Sequence, residues 1–269
     1  MNQPLKLLTI AGSDSGGAAG LQADLKTWAA VHAYGMSVVT AVTAQNSLTV
    51  SAVQYMRPAF VAAQLEAVLS DYGADGVKTG FIGRAGIIAT IAAKLEAYAP
   101  SLLVVDPVLV NHKGQAMFPL EVPQAYREYL LPLAQLITPN CGEAEVLTGL
   151  PVQTIAEMET AAAHLHRLGP SNVLIKRGRE GNEVVDVLFD GTQFTHFRSP
   201  AIATANTHGS GDMLAAAVCA FLARGDDVTT AVGHARHLTY IAMQNAAHWQ
   251  LGSGHGPLAI FDIGPLPDH

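Results

Sequence analysis

Short apolar runs separated by longer helical patterns constrain the fold of this chain more than any other feature. The runs predict β-strands at residues 5–11, 36–43, 76–79, 102–105, 136–138 and 173–176. The intervening segments predict α-helices at residues 20–32, 58–72, 85–98, 143–148, 155–168, 211–223 and 228–248. Such alternation is typical of a mostly parallel sheet whose two faces are covered by helices. We therefore predict an α/β fold.

Two further extended runs near residue 190 predict a β-hairpin. Residues 183–189 and 193–198 are joined by Asp190-Gly191, a sequence suited to a tight turn. We expect this hairpin to form an antiparallel edge of the central sheet. No repeat, low-complexity tract or long polar linker divides the chain, so we expect one domain over residues 1–269.

The composition limits the classes of partner. Of the 269 residues, 49% are hydrophobic and 14% are charged, so the chain can bury a large core. The formal net charge of -7 disfavours a broad nucleic-acid or anionic-membrane interface, because both need a basic surface. The first residues become polar too early for a secretory segment, and no apolar run has the length of a membrane span. We expect a cytoplasmic protein with small-molecule partners, not nucleic acids or membranes.

Polar residues follow several of the predicted strands. Asp106, Asn140 and Lys176 each stand at the end of an apolar run, while Asp14 follows the first strand and Gln45 the second. In an open α/β sheet, ligands bind beyond the carboxyl ends of the strands. We therefore expect these side chains to line one rim, where carboxylates would position magnesium and lysine would balance the charge of a nucleotide phosphate.

The segment 206–212, with the sequence NTHGSGD, is a glycine-rich turn that leads into a helix. Free backbone N–H groups at such a turn bind anions, and Asp212 would lie in the first helical turn. One interpretation is a phosphate site in which Asp212 acts on a neighbouring hydroxyl group. The other is a capped helix, with Thr207 or Ser210 as the N-cap and Asp212 offsetting the helix macrodipole.

The other rim residues also have structural interpretations. Asn140 and Glu143 have the spacing of an N-cap and its third helical residue, so the pair can simply start a helix. Asp106 precedes a proline and fits a turn, and Lys176 can be a solvated strand end. Their joint occurrence on one predicted rim favours a functional site.

Two loops without clear secondary structure complete the predicted rim. Residues 12–20 are rich in glycine but lack the G-x-G-x-x-G spacing, and the chain has no G-x-x-x-x-G-K-[ST] loop. This pattern disfavours a nicotinamide enzyme and fits close backbone approach to a small substrate. Residues 108–120 have no clear period, and they fit either a lid or an ordinary surface connection.

Taken together, these segments resemble the ribokinase-like superfamily, and most closely its branch of hydroxymethylpyrimidine and phosphomethylpyrimidine kinases in thiamine biosynthesis. The resemblance covers nearly the whole chain. The motifs that carry it are AGSD at residues 11–14, QADLK at 22–26, TAQN at 43–46, VKTG at 77–80, VDPV at 105–108, TPN at 138–140, EAE at 143–145 and NTHGSG at 206–211. The first and last of these motifs are typical of this branch and of related pyridoxal kinases.

The resemblance implies a role for each candidate site residue. The pocket for a pyrimidine or pyridine ring would be formed by Gly12, Asp24, Gln45, Phe81 and Val108. Magnesium would be organised by Glu143 and Asp106 with Asn140, and the nucleotide would contact Asn140, Lys176 and Ser210. The anion hole would consist of Gly209, Gly211 and Asp212, and Asp212 would also deprotonate the hydroxymethyl group.

The resemblance implies a homodimer that uses ATP and Mg²⁺ to phosphorylate the hydroxymethyl group of 4-amino-5-hydroxymethyl-2-methylpyrimidine. Whether the monophosphate is a second substrate stays open. Many members of this branch have cysteine in place of Asp212, where the main pyridoxal kinases have aspartate, and Phe81 stands where methionine is common. A pyridoxal, pyridoxine or pyridoxamine kinase of vitamin B6 salvage is therefore the nearest alternative. A noncatalytic vitamer-binding protein of the same fold is a more distant one.

Overall fold

The computed structural model describes residues 3–111, 114–264 and 266. The strands in this part of the chain are β1 (Lys6–Asp14), β2 (Tyr34–Gln45), β3 (Val50–Tyr55), β4 (Gly76–Thr79), β5 (Leu103–Val105), β6 (Leu136–Ile137), β7 (Asn172–Glu180), β8 (Glu183–Phe189) and β9 (Phe194–Pro200). They form one sheet in the order β3-β2-β1-β4-β5-β6-β7-β8-β9.

The centre of the sheet is parallel and its two edges are antiparallel. Parallel pairing runs from β2 through β1, β4, β5 and β6 to β7. At one edge β3 pairs antiparallel with β2, and at the other β8 pairs antiparallel with both β7 and β9. The predicted mostly parallel sheet and its edge hairpin are therefore confirmed.

Strand β3 is absent from the sequence prediction. Ser51 and Gln54 interrupt its apolar residues, and both of its faces are exposed except at Tyr55. A strand without a buried face has no alternation of apolar and polar residues that would reveal it. Strand β3 and the last residues of β2, 41–45, form a two-stranded arm at this edge of the sheet.

The helices account for most of the remaining chain. They are α1 (Gly20–Ala30), α2 (Pro58–Asp71), α3 (Ala85–Tyr98), α4 (Glu121–Ala125), α5 (Cys141–Thr148), α6 (Ile155–His166), α7 (Ser210–Arg224) and α8 (Val228–Asn245). Each predicted helix is present, with ends shifted by a few residues. α4 is an addition: it continues into a π-helical turn, Tyr126–Leu130, and a 3-10 turn, Leu131–Leu133. Pro123 and Pro132 interrupt regular helical hydrogen bonding there and obscure the helical pattern.

Helices cover both faces of the sheet, as predicted. One buried core contains Leu65 of α2, Ile91 of α3 and Met158 of α6, and the other contains Trp28 of α1 and Leu238 of α8. α7 lies in the second core between the sheet and its neighbouring helices. Its small buried residues, Ala215, Ala216, Ala217 and Ala220, allow close approach to the sheet. This packing brings the start of α7 to the carboxyl ends of the parallel strands.

Across residues 3–111, 114–264 and 266, no helix combines the length and the apolar character that crossing a bilayer requires.

Candidate active site

A cavity of about 1050 Å³ opens at the carboxyl ends of the parallel strands. All the predicted site residues except Asp24 line it: Gly12, Gln45, Phe81, Asp106, Val108, Asn140, Glu143, Lys176, Gly209, Ser210, Gly211 and Asp212. The polar residues that the sequence placed on one rim therefore do lie together.

Asp24 does not line this cavity, so the prediction that it is a pocket residue is wrong. Its side chain is fully buried in α1. One carboxylate oxygen accepts a hydrogen bond from Lys78 Nζ at 2.7 Å, and the other accepts one from Thr9 Oγ1 at 2.6 Å. Both oxygens are thus bonded to the protein, so Asp24 is in place to support neighbouring groups and not to touch a substrate.

The start of α7 leaves two backbone amide groups free. Gly209 has φ 80° and acts as the N-cap without any side-chain cap, so the prediction of Thr207 or Ser210 as N-cap is wrong. Ser210 Oγ instead accepts a hydrogen bond from Arg177 at 3.1 Å. Among the described residues, the N–H groups of Gly211 and Asp212 have no protein acceptor. These amides are available to bind an anion in the cavity.

Asp212 stands in the first turn of α7 with its carboxylate at the cavity wall. Its Oδ1 lies 3.4 Å from Lys78 Nζ, while its Oδ2 has no hydrogen-bond partner among the residues that the structure describes. Its side chain is 14% exposed, enough to meet a ligand in the cavity. One oxygen is therefore directed toward a buried cation and the other can accept a proton.

Lys78 is a site residue that the sequence analysis missed. It belongs to the short buried strand β4 and is itself fully buried. Burial disfavours its charged form, but the carboxylates of Asp24 and Asp212 outweigh that effect and raise the pKa of the ammonium group. The signal in the sequence was a lone lysine inside an otherwise uncharged strand, where an unpaired charge would be costly.

The neighbouring wall carries the predicted metal residues. Asp106 Oδ1 accepts hydrogen bonds from Thr138 Oγ1 and Lys176 Nζ, each at 2.8 Å. Glu143 accepts hydrogen bonds from the amides of Asn140 at 2.8 Å and Leu109 at 3.3 Å. The structural interpretation of the Asn140–Glu143 pair is confirmed, since the two form a complete capping box at the start of α5.

The same two carboxylates retain the chemistry of a cation site. Burial and the nearby charge of Asp106 raise the pKa of Glu143 to about 8, against the pull of Lys176. Asp106 Oδ2 accepts no hydrogen bond from the described residues. Magnesium prefers oxygen ligands and is often held by one or two carboxylates plus substrate phosphates. Asp106 and Glu143 fit that role. No group of three His, Cys, Asp or Glu side chains suited to a metal occurs among the described residues.

Tyr126, from the segment that the sequence did not predict, lies beneath these carboxylates. It is fully buried, and its hydroxyl donates a hydrogen bond to the carbonyl oxygen of Gly80 at 3.4 Å. Burial, together with the charges of Asp106 and Glu143, raises the pKa of this hydroxyl. Tyr126 therefore stays protonated and contributes no further negative charge to the wall.

The opposite end of the cavity is formed by the first loop. Asp14 closes this loop by accepting hydrogen bonds from the amides of Gly16, Ala18 and Ala19 at 2.8 to 3.0 Å. Gln45 Nε2 lies 2.9 Å from His208 Nε2, which in turn lies 3.8 Å from Asp14 Oδ2. His208 is a second site residue that was not predicted, although it belongs to the glycine-rich turn of residues 206–212.

An aromatic wall lies beside the first loop. Phe81 contacts Tyr55 in a stacked arrangement, with ring centroids 6.2 Å apart, and Phe118 in a tilted one at 5.7 Å. A Cβ on Gly12 would stand 2.8 Å from the Phe81 ring, so the glycine permits this ring to lie against the loop. No site role was predicted for Tyr55 or Phe118, although Phe118 belongs to the segment 108–120 that was interpreted as a lid or a surface connection. Such a wall suits a flat heterocycle.

The segment 108–120 carries Phe118, and several of its described residues line the cavity. Val110 and Ala116 form an isolated antiparallel bridge, so the segment turns back on itself. Val108 and Met117 also line the cavity. His112 and Lys113 lie outside the described residues. This placement agrees with the lid interpretation, whose motion stays a prediction.

Basic residues line the part of the cavity beyond Lys176. Arg177, Arg179 and Arg236 contribute to its wall. Asp186 holds two of them, because its carboxylate accepts from the amide of Arg177 and from Arg236 Nε, each at 2.7 Å. The sequence prediction ended the strand at Lys176, whereas β7 continues to Glu180 through an irregularity between Ile175 and Gly178. This extension supplies positive charge for a phosphorylated ligand.

Comparison with known proteins identifies the family. The family model of phosphomethylpyrimidine kinase matches residues 14–259. The chain is 47% identical, over 94% of its length, to the thiamine biosynthesis bifunctional protein ThiED of Geobacter sulfurreducens, and it covers 51% of that protein. It is 41% identical to the hydroxymethylpyrimidine/phosphomethylpyrimidine kinase of Bacillus subtilis, covering 95% of this chain and 94% of that enzyme. The chain thus spans about half the length of the bifunctional relative and nearly all of the Bacillus enzyme.

Solved structures of vitamin kinases have the same fold. The pyridoxal kinase of Staphylococcus aureus in complex with AMP-PCP matches with a TM-score of 0.90 and 34% identity, covering 98% of this chain and 96% of that one. The phosphomethylpyrimidine kinase of Clostridium difficile matches with a TM-score of 0.78 and 38% identity, covering 90% of this chain and 99% of that one. The matched sequence and the shared architecture show that this chain belongs to the phosphomethylpyrimidine kinase family and has a ribokinase-like fold.

Proposed function

We propose that this protein transfers the γ-phosphoryl group of ATP to the hydroxymethyl group of 4-amino-5-hydroxymethyl-2-methylpyrimidine, a step of thiamine biosynthesis. The observation that carries the proposal is the start of α7. There, two amides and one oxygen of Asp212, which have no partner in the described part of the chain, lie at one cavity. The names of the relatives favour the pyrimidine substrate, because the Bacillus enzyme at 41% identity is called a hydroxymethylpyrimidine/phosphomethylpyrimidine kinase.

The reaction needs a base for the acceptor and charge stabilisation for the transferred group. Asp212 Oδ2 takes the proton of the hydroxymethyl group as the hydroxymethyl oxygen attacks the γ-phosphorus. The bond between the γ-phosphorus and the β,γ-bridging oxygen breaks, and ADP leaves with that oxygen. The amides of Gly211 and Asp212 then stabilise the equatorial phosphoryl oxygens. Lys176 balances the negative charge of the phosphate groups. Its Nζ lies near the start of α7, 3.4 Å from the position that a Cβ on Gly211 would occupy.

Asp106 and Glu143 are the residues proposed to hold magnesium. Bound there, Mg²⁺ would neutralise phosphate charge and orient the β- and γ-phosphates. Lys176 is bonded to Asp106 at 2.8 Å, so one carboxylate links the metal site to the phosphate site.

The acceptor ring is proposed to lie between the first loop and the aromatic wall. Phe81 offers a face for stacking, and Gln45 can donate and accept hydrogen bonds at a ring nitrogen and its exocyclic amine. His208 fixes the orientation of the Gln45 amide through their 2.9 Å contact. Val108 closes the pocket from the lid segment.

A second candidate function is a kinase of pyridoxal, pyridoxine or pyridoxamine. It is favoured by the TM-score of 0.90 to the Staphylococcus aureus pyridoxal kinase, which exceeds the 0.78 of the Clostridium difficile phosphomethylpyrimidine kinase. The aromatic wall would accept either ring, since both are flat nitrogen heterocycles that bear a hydroxymethyl group.

Parallel turnover assays distinguish the candidates. The purified protein is assayed with ATP and Mg²⁺ on hydroxymethylpyrimidine, its monophosphate and the three B6 vitamers. We expect the largest kcat/KM for hydroxymethylpyrimidine, and product formation from the monophosphate would show whether a second transfer occurs. A larger kcat/KM for pyridoxal would replace the leading proposal. Binding without turnover of any substrate would favour the noncatalytic alternative.

Replacing Glu143 by Gln is expected to remove the pH dependence of magnesium binding. Because the pKa of Glu143 is raised to about 8, magnesium competes with a proton, and its affinity should increase as the pH rises through that value. Gln keeps the cap but carries no charge. The Mg²⁺ concentration for half-maximal rate should rise about 10- to 100-fold in the variant. Magnesium titrations of the rate, below and above pH 8, measure both effects.

The same substitution should stabilise the protein at alkaline pH. The folded protein loses stability as the pH rises from 4.5 through about 8, because the pKa of Glu143 is higher in the folded state than in the unfolded state. A glutamine at this position does not ionise, so the variant avoids that loss.

The matched control is Glu157→Gln. Glu157 occupies the equivalent position of the exposed capping box of α6, where hydrogen bonds from Gln153 and Thr154 lower its pKa. An equal change in magnesium requirement for both variants would contradict the metal assignment.

We also propose a homodimer that uses the arm formed by β2 and β3. Its face opposite the cavity exposes Val42, which is 44% exposed, together with Ala44 and Ala52. An open strand edge with exposed apolar residues favours association. Light scattering of the wild-type protein and of Val42→Asp measures the oligomeric state; a wild-type monomer would reject the proposal.

A further inference from the structure

A chain of three charged side chains runs from the interior to the cavity. Asp24 of α1, Lys78 of β4 and Asp212 of α7 are linked by contacts of 2.7 and 3.4 Å at Lys78 Nζ. The first two side chains are completely buried, and only Asp212 reaches the cavity. Of these three residues, the proposed reaction uses only Asp212. The buried pair of Asp24 and Lys78 therefore has no assigned role.

We infer that Lys78, held in place by Asp24, is a positioning residue that keeps the Asp212 carboxylate aimed at the acceptor hydroxyl. This inference rests on the proposed function, since it concerns how the proposed base is prepared for phosphoryl transfer.

The first step of the argument is the cost of burying Lys78. An ammonium group in a protein interior is strongly disfavoured unless it is paired and hydrogen-bonded. Lys78 meets that requirement through Asp24, whose second oxygen is bonded to Thr9 Oγ1. Replacing such an ion pair by apolar side chains is often neutral or stabilising, so stability alone does not explain it.

The second step is the geometry at Asp212. Lys78 Nζ lies 3.4 Å from Asp212 Oδ1, so this contact restrains the side chain and leaves the second carboxylate oxygen without a partner among the described residues. Gly80 leaves space for the contact, because a Cβ there would stand 3.3 Å from Lys78 Nζ and 3.8 Å from Asp212 Oδ1. A side chain at position 80 would therefore crowd the contact between the lysine and the base.

The third step is the balance of charge around Lys78. The ionisable groups that face it are Asp24 from α1, Asp212 and Cys219 from α7, and Asp106 beyond β5. Burial raises the pKa of the Cys219 thiol, so it stays neutral. Asp24 and Asp212 thus share the Lys78 cation, while Asp106 is paired with Lys176 at 2.8 Å. Without the Lys78 cation, Asp212 would lie near the buried negative charge of Asp24. Without the Asp24 charge, Asp212 would be the one remaining carboxylate in contact with Lys78 among the described residues.

A double-mutant cycle tests whether Lys78 acts through Asp212. Lys78→Met should lower kcat about tenfold or more in the wild-type background and less than about twofold in the Asp212→Asn background. The KM for ATP should change little in both. Equal losses in the two backgrounds would reject the inference. The variant Lys78→Met/Asp24→Asn, which buries no unpaired charge, provides the same comparison if Lys78→Met does not fold. Absence of turnover in the wild-type protein would instead reject the proposed function.

Discussion

Asp212→Asn is expected to lower kcat by about 10²- to 10⁴-fold, the usual contribution of a general base. Asn has nearly the same shape, so it should retain the turn and leave the KM for ATP within a few-fold of the wild-type value. It cannot take the proton of the acceptor hydroxyl group. Steady-state kinetics with hydroxymethylpyrimidine and ATP, at saturating Mg²⁺, measure the effect.

Stability should change little in this variant. An acidic residue in the first turn of a helix contributes about 0.3–1 kcal/mol through the macrodipole, and that is the loss we expect on thermal unfolding. Lys78 stays paired with Asp24 at 2.7 Å. A kcat within about threefold of the wild-type value would show that Asp212 is not the base.

Asp227→Asn is the matched control for a carboxylate at the start of a helix. Asp227 caps α8 by accepting hydrogen bonds from the amides of Thr229 and Thr230 at 2.9 and 3.0 Å. Asn caps helices about as well as Asp, so neither stability nor kcat should change. A loss of activity in both variants would point to a general effect of surface charge.

The parts of the fold that were predictable are those whose own residues show which side is buried. The central strands read as apolar runs, and α2 and α3 show helical periodicity, because burial selects their residues directly. Strand β3 lacks such a signal, since almost all of it is exposed. It is formed because the turn after β2 brings it back along an open edge, which is a consequence of tertiary structure.

The candidate site was predictable where it depends on strand ends and turns. Asp106, Asn140 and Lys176 follow apolar runs, and parallel topology alone brings such residues to one rim. The link between Lys78 and Asp212 joins residues 134 positions apart, and no local pattern specifies it. Asp24 was misassigned for the same reason: an aspartate in a helix can face a ligand or a buried lysine, and only the packing of α1 on β4 decides which.

The two glycines that flank Ser210 are expected to respond differently to alanine. A Cβ on Gly211 would lie 3.4 Å from Lys176 Nζ and 4.0 Å from Asp106 Oδ2, which is ordinary van der Waals contact. The apo protein should therefore tolerate Gly211→Ala, and its free energy of unfolding should stay equal or rise, because alanine favours helix by up to about 1 kcal/mol. The added methyl group would occupy the space where the phosphate must approach.

We expect Gly211→Ala to lower kcat/KM for ATP by about 10²-fold, since displacing a reacting group by about 1 Å can cost that much. Gly211→Val should lower it further. Gly209→Ala should instead fail to fold stably, because residue 209 has φ 80° and its Cβ would stand 1.8 Å from the carbonyl oxygen of Ala18. Thermal unfolding and ATP kinetics of the variants separate the two effects.

Gly225→Ala is the control that shows the cost of backbone strain alone. It lacks the steric clash that a Cβ at residue 209 would make with Ala18. Gly225 ends the same helix with φ 107°, and a Cβ there would meet no atom within 4 Å. This variant should lose only about 1–3 kcal/mol of stability, the usual cost of an unfavourable backbone conformation, and keep its kcat. If Gly211→Ala keeps full activity while the other two behave as expected, the phosphate does not approach the start of α7. The free amides of Gly211 and Asp212 would then have no role in transfer, and the proposed kinase site would have to lie elsewhere in the cavity.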